Sequence, residues 1–192
     1  MRVVILGPPG AGKGTQAEQI AKSNNIPHIS TGEMLRAAVS SGSELGQRVS
    51  SYLDSGALVP DDLIIDIIKE RITRPDCDRG FLLDGFPRTV PQAEALTGML
   101  ESLGKGLTHV LLLKVPDSVL MERIMGRASA GSGRSDDNED VVKKRLKVYH
   151  EQTAPVAEYY KKRGELLELD GLGTIEEVRA RIDKALSDPS HK

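Results

Sequence analysis

Gly7-Pro8-Pro9-Gly10-Ala11-Gly12-Lys13-Gly14-Thr15 follows directly on the apolar run Val3-Val4-Ile5-Leu6. The segment fits the first seven positions of the phosphate-binding pattern G-x-x-x-x-G-K-[ST]. Small residues let several backbone N–H groups converge on one anion, and the helix behind them adds partial positive charge at its N-terminus. Lys13 then supplies a mobile point charge for the outer phosphates of a nucleoside triphosphate. The position after Lys13, where the full pattern places a Mg²⁺-contacting hydroxyl, is Gly14; the hydroxyl comes one place later, at Thr15. The metal is served either by Thr15 or by carboxylates and water.

A second constellation surrounds Phe81-Leu82-Leu83-Asp84, a strand-like run ending in a carboxylate and followed by Gly85-Phe86-Pro87-Arg88. A carboxylate at the carboxyl end of a parallel strand lies where open α/β sheets bind ligands. In phosphate-loop enzymes such an Asp helps hold Mg²⁺. Arginines form a third group: Arg36, Arg88, Arg123, Arg127, Arg134 and Arg145. Phosphoryl transfer asks for positioning, charge neutralisation and exclusion of water, and little covalent chemistry from the protein. A lysine loop, a strand-end Asp and several arginines meet that need.

These residues have to be positioned by a modest chain. At 192 residues it is long enough for one α/β domain with a real core. Aromatics are only 3% with no Trp, so Leu, Ile, Val and Ala must build that core. A net charge of −2 argues against electrostatic binding to nucleic acid or membrane, so anionic substrates must be met by local clusters of Arg and Lys. Cys77 is the single cysteine, which excludes an intrachain disulfide and a cysteine-based zinc site. With no Arg-rich leader before Arg2 and no apolar run of membrane-spanning length, a cytoplasmic location is expected.

Five apolar runs alternate with helical stretches: 3–6, 27–30, 81–84, 109–115 and 166–169. Short, continuously apolar strands separated by amphipathic helices predict a parallel sheet covered on both faces. Ser30 with Glu33, Thr89 with Gln92 and Thr174 with Glu177 have the spacing of capping boxes. Three helices fall between the second and third strands, at about 30–39, 44–54 and 61 onward. That is more than a crossover needs, so 30–59 reads as a helical insertion able to act as a flap. Ala128–Gly133, with two glycines and no large apolar side chain, reads as a loop after a helix ending near Arg127. A long helix from about Glu139 should bury Val142, Leu146 and Tyr149, with Arg145 at the margin, until Pro155 kinks or breaks it.

Taken together, GPPGAGKGTQA (7–17), STGEMLR (30–36), GALVP (56–60), DGFPRTVPQA (84–93), GR (126–127), GRSDDNED (133–140) and KRLKVYHEQTAP (144–155) resemble the adenylate kinases in their short-lid form. The Gly14-Thr15 departure is that family's usual form. The resemblance implies a P-loop three-layer α/β/α fold with a five-stranded parallel sheet, a helical AMP-binding flap and a short lid. It implies one domain, with core 1–29, 60–125 and 138–192, flap 30–59 and lid 126–137. The implied reaction is MgATP + AMP ⇌ MgADP + ADP, by an expected monomer with no partner in nucleic acid or membrane.

By the same resemblance, Gly10, Ala11, Gly12, Lys13, Gly14 and Thr15 hold the ATP phosphates, and Arg127 joins them. Arg123 and Gly173 lie at the ATP base. Arg36 and Arg88 grip the AMP phosphate. Thr31, Ala57, Leu58, Val59, Gly85, Phe86, Pro87 and Gln92 line the AMP site. Arg134 and Arg145 span both nucleotides, Asp84 orders water around Mg²⁺ with Thr15 close by, and Asp136 and Asp137 tether the lid. Longer lids of the family can carry a zinc site, but 128–137 contain no Cys or His, so no zinc is expected. A UMP/CMP kinase shares the phosphate machinery. It is separated by Thr31 and Gln92, where those enzymes usually carry Ala and Asn. A small GTPase would need an N-K-x-D segment, and the chain has none.

Overall fold

A computed structural model describes residues 1–131 and 137–188. Five strands, β1 (Arg2–Leu6), β2 (His28–Ser30), β3 (Phe81–Asp84), β4 (His109–Lys114) and β5 (Leu166–Asp170), form one sheet in the order β2-β3-β1-β4-β5. Every neighbouring pair is parallel. Register brings the strand ends level, with Ile5 and Ser30 both opposite Asp84. The chain builds one side of β1 first and then crosses to the other. The loop after β1 therefore opens at the switch point, where such sheets bind ligands.

Alternation along each strand divides the core in two. Val4, Leu6, Ile29, Leu83, Val110 and Leu112 point to one face, and Val3, Ile5, Leu82, Leu111, Leu113 and Leu167 to the other. Helices α2 (Thr31–Ser40), α3 (Glu44–Ser55), α4 (Asp61–Ile72), α5 (Val90–Ser102) and α8 (Ala154–Lys162) contribute to the first cluster. Helices α1 (Lys13–Asn24), α6 (Asp117–Ser129), α7 (Glu139–Val148) and α9 (Ile175–Ser187) contribute to the second. This is the expected three-layer α/β/α arrangement. None of the helices among the described residues is long and apolar enough to cross a membrane.

Local chemistry sets most helix starts. Ser30, Ser43, Thr89 and Asn138 each accept a hydrogen bond from a first-turn amide. Thr174 goes further. Its Oγ1 accepts from the Glu177 amide at 3.2 Å, while Glu177 Oε2 accepts from the Thr174 amide at 2.8 Å. The reciprocal half does not form at Thr89, because the Gln92 side chain is held by other partners.

Two expectations are corrected. Helix α6 continues through Ala128 and Ser129, beyond the predicted stop near Arg127, because neither small residue opposes a helix. The chain leaves it through Ala130 and Gly131, the latter at φ 79°. The rest of the predicted loop lies outside the described residues. Tyr149 is only half-buried and starts a π-turn, Tyr149–Thr153, in which the Ala154 amide reaches back to the Tyr149 carbonyl. Pro155, in the first turn of α8, has no N–H for the Glu151 carbonyl and would crowd it in an unbroken helix, so the backbone widens there. Thr174→Ala should lower stability by about 0.5–2 kcal/mol, measured by urea unfolding, with the denaturant slope unchanged.

Candidate functional site

The phosphate-binding pattern occupies the turn between β1 and α1. Gly12, at φ 86°, is the N-cap residue of α1; it offers no side-chain cap, and the first turn holds no acidic residue. The amides that other helices satisfy with Ser, Thr or Asn are thus left to face an anion. Gly10 has a second constraint, since a Cβ there would lie 2.9 Å from Ile124 Cγ1 and 3.0 Å from the Leu120 carbonyl oxygen. The loop runs tight against α6, and only glycine fits.

Lys13 projects from the start of α1, and its Nζ donates to the Pro8 carbonyl at 2.9 Å, folding the side chain over its own loop. Burial of the ammonium lowers its pKa to about 8. Arg88, Arg145 and Arg127 push in the same direction, and Asp84 opposes them. Asp84 ends β3 and is buried, with Oδ2 3.7 Å from where a Cβ on Gly14 would stand. Burial alone would raise the Asp84 pKa, but His28 and Lys13 outweigh it and hold the carboxyl below its ordinary range. His28, at the start of β2, approaches Asp84 Oδ2 with Nε2 at 3.5 Å, the outer limit of a hydrogen bond, and its own pKa is raised chiefly by that neighbour.

Beside this loop opens a cleft lined by Lys13, Arg36, Arg88, Gln92 and Arg145, with Ala57, Leu58 and Val59 along one wall. Gly85, at φ 79°, lies so close to Thr31 that a Cβ would come within 2.7 Å of the hydroxyl. Its carbonyl accepts from Thr31 Oγ1 at 2.9 Å and from Arg88 Nε at 2.7 Å, fixing the Arg88 fork toward the cleft. Gln92 is 2% exposed, with Oε1 accepting from the Arg88 amide and Nε2 donating to Asp61 Oδ1, each at 2.7 Å.

On the far side, Asp137 is buried and accepts from Arg127 at 2.8 Å (Nε) and 2.6 Å (Nη2), a bidentate pair. The same carboxylate lies 3.7 Å from Arg145 Nη1. The Arg123 guanidinium sits 3.4 Å from the Gly171 carbonyl, which puts it next to the loop carrying Gly173.

The structure therefore gathers Lys13, Thr31, Arg36, Ala57, Leu58, Val59, Gly85, Pro87, Arg88, Gln92 and Arg145 around one cleft. Phe86, between Gly85 and Pro87, has its side chain fully buried in the core, where it anchors the loop. Arg134 and Asp136 lie outside the described residues. Gly56 was missed as a site residue, because its sequence signal is that of a helix stop. It caps α3 at φ 70°, and a Cβ there would meet Arg145 Cγ at 2.9 Å and Val141 Cγ1 at 3.0 Å. The His28–Asp84 contact and the Asp61 carboxylate were missed too, since their partners are remote in sequence. Among the described residues no three His, Cys, Asp or Glu side chains are grouped to hold a metal. One carboxylate beside a phosphate loop nevertheless suits Mg²⁺, which keeps several waters and takes its other ligands from substrate phosphates.

Residues 5–165 match the protein family described as Adenylate kinase. Similar proteins of that name include one from Agrobacterium fabrum, 48% identical and covering 99% of this chain and 100% of the relative. One from Stenotrophomonas maltophilia is 48% identical over 97% of this chain and 99% of its own length. Another, from Parvibaculum lavamentivorans, is 50% identical over 97% and 92% respectively.

The depressed Lys13 pKa has a signed consequence for stability. Between the folded value near 8 and the unfolded value near 10.5 the unfolded chain binds more protons, so this group's penalty is full below pH 8 and relieved as pH rises toward 10.5. Lys13→Met should stabilise the unliganded protein at pH 7 and flatten its stability profile across that interval, measured by urea unfolding at a series of pH values.

Proposed function

The chain belongs to the adenylate kinase family, it is an enzyme of phosphoryl transfer between ATP and AMP, and we propose that the cleft beside the phosphate loop holds the acceptor AMP while the loop itself holds the ATP phosphates. The terminal phosphorus of ATP gains a bond to an AMP phosphate oxygen and loses its bond to the bridging oxygen, giving two ADP. The carrying observation is the convergence of Lys13, Arg36, Arg88 and Arg145 on one cleft that borders the uncapped start of α1. No side chain is needed as nucleophile, because the acceptor phosphate itself attacks.

In this reading Lys13 follows the transferred group, Arg36 and Arg88 hold the acceptor phosphate, and Arg127 holds the donor phosphates. Arg145 and Arg134 span the two, while Arg123 and Gly173 lie against the donor base. Gln92, with Thr31, reads the acceptor base. Each Gln92 amide atom spends only part of its capacity on Arg88 and Asp61, leaving one N–H and one lone pair for the ligand. Asp84, with Thr15, would hold Mg²⁺ through water, and the ion would supply charge neutralisation on the phosphates. We assign 30–59 as the acceptor flap, 126–137 as the lid and the remainder as the core of one domain. A cytoplasmic monomer without zinc completes the proposal.

Three measurements test it. In a coupled assay with ATP, AMP should be the preferred acceptor over CMP, UMP and GMP; equal turnover of UMP or CMP would replace this reading with a pyrimidine kinase. Arg88→Ala should lower kcat by about 10³-fold or more while the fold survives, and a raised KM with normal kcat would contradict its role in the transition state. Chelation followed by restored Mg²⁺ should leave folding and activity intact, and stoichiometric zinc by metal analysis would refute the zinc-free lid.

A further inference from the structure

Asp61 is the first residue of α4, separated by Pro60 from the 57–59 segment that walls the cleft, and no feature of its local sequence marks it as part of the site. Its Oδ1 accepts two hydrogen bonds from a segment about thirty residues away: Thr89 Oγ1 at 3.0 Å and Gln92 Nε2 at 2.7 Å. Gln92 is buried, and its Oε1 is held by the Arg88 amide. A carboxylate only accepts and a backbone N–H only donates, so the two neighbours together dictate which end of the amide is nitrogen and which is oxygen. The orientation is chemically forced, and it decides the order in which donor and acceptor face the cleft.

We propose that Asp61 is a positioning residue for base selectivity: by locking the Gln92 amide it sets the enzyme to accept a 6-aminopurine and reject a 6-oxopurine. This rests on the reading that Gln92 meets the acceptor base. Adenine presents an amino donor at position 6 beside a ring-nitrogen acceptor. Hypoxanthine presents a carbonyl acceptor at position 6, with a proton on N1. A fixed amide satisfies the first edge, and against the second it sets acceptor against acceptor. A mismatched buried polar pair is the strongest form of small-molecule discrimination. Without Asp61 only the Arg88 amide opposes a flip, so the turned amide that suits the second edge comes within reach.

Asp61 acts through Gln92, so its loss changes selectivity more than turnover. The geometry also ties the base reader to the end of the proposed flap, since Asp61 follows Val59 and Pro60 directly.

The experiment compares kcat/KM for AMP and IMP, with ATP as donor, in the parent and in Asp61→Ala, Asp61→Asn and Thr89→Val. In Asp61→Ala the AMP:IMP ratio should fall about tenfold or more. Asp61→Asn keeps a carbonyl oxygen able to accept from Gln92 and should recover most of the ratio. Thr89→Val removes the α5 cap and the other donor to Asp61; it should lower the melting temperature and leave the ratio near the parent value. An unchanged ratio in Asp61→Ala overturns the proposal. So does an equal fall in Thr89→Val, which would mean general loosening, or an equal fall in Asp61→Asn, which would make charge the cause. A parent that fails to prefer AMP, or a Gln92→Ala variant that keeps the parent's ratio, defeats the underlying reading instead.

Discussion

Electrostatic crowding around Lys13 is the constraint on which the rest of the site depends. A protein with net charge −2 buries the Lys13 ammonium, which lowers its pKa to about 8, and sets Arg88, Arg145 and Arg127 near enough to push the same way. Such a cluster is unfavourable in the unliganded protein and favourable once several phosphate charges enter it. Two buried carboxylates make it tolerable. Asp84 faces Lys13 from the end of β3, and Asp137 grips Arg127 and approaches Arg145. His28 and Lys13 hold Asp84 in its charged form, and Asp137 is paired bidentately with Arg127, so removing one partner would leave a buried charge uncompensated. Stability is spent here on a preorganised field, the feature that matters most when charge moves during phosphoryl transfer.

How much of this could be read from sequence depends on the range of the interactions. Val3–Leu6 and Phe81–Asp84 are legible as strands because they are short apolar runs closed by glycine. The phosphate loop is legible because its function is local backbone geometry. The same holds for the Thr174 capping box, whose donors and acceptors lie three residues apart. Gln92 shows where local reading fails. Its spacing from Thr89 fits a reciprocal cap, yet Asp61, thirty-one residues away, captures the amide nitrogen and the neighbouring Arg88 amide captures the oxygen. The reciprocal cap would need Oε1 to accept from the Thr89 amide, but the Arg88 amide takes that oxygen while Asp61 anchors the nitrogen, and nothing in the spacing reports it. Gly56 is similar: its role as a helix stop is visible, but its tight contact with Arg145 is tertiary.

The turn at Tyr149–Thr153 explains why a helix that reads as continuous must break. Val142 and Leu146 of α7 pack into the core cluster on one face of the sheet, with Ile5 and Leu111. Val156 and Tyr160 of α8 pack into the cluster on the opposite face, with Val4 and Leu112. Between Leu146 and Val156 the chain has to pass from one side of the sheet to the other. A regular helix cannot do so, because its apolar stripe would keep facing one way. Pro155 removes the amide that would sustain the regular pattern, and the wider turn absorbs the change of direction. Val148, Tyr149 and Thr153 consequently border the cleft, and Arg145, one turn earlier, lies between that passage and Gly56 at the end of α3. The crossing that the core requires is thus also what delivers an arginine to the cleft wall.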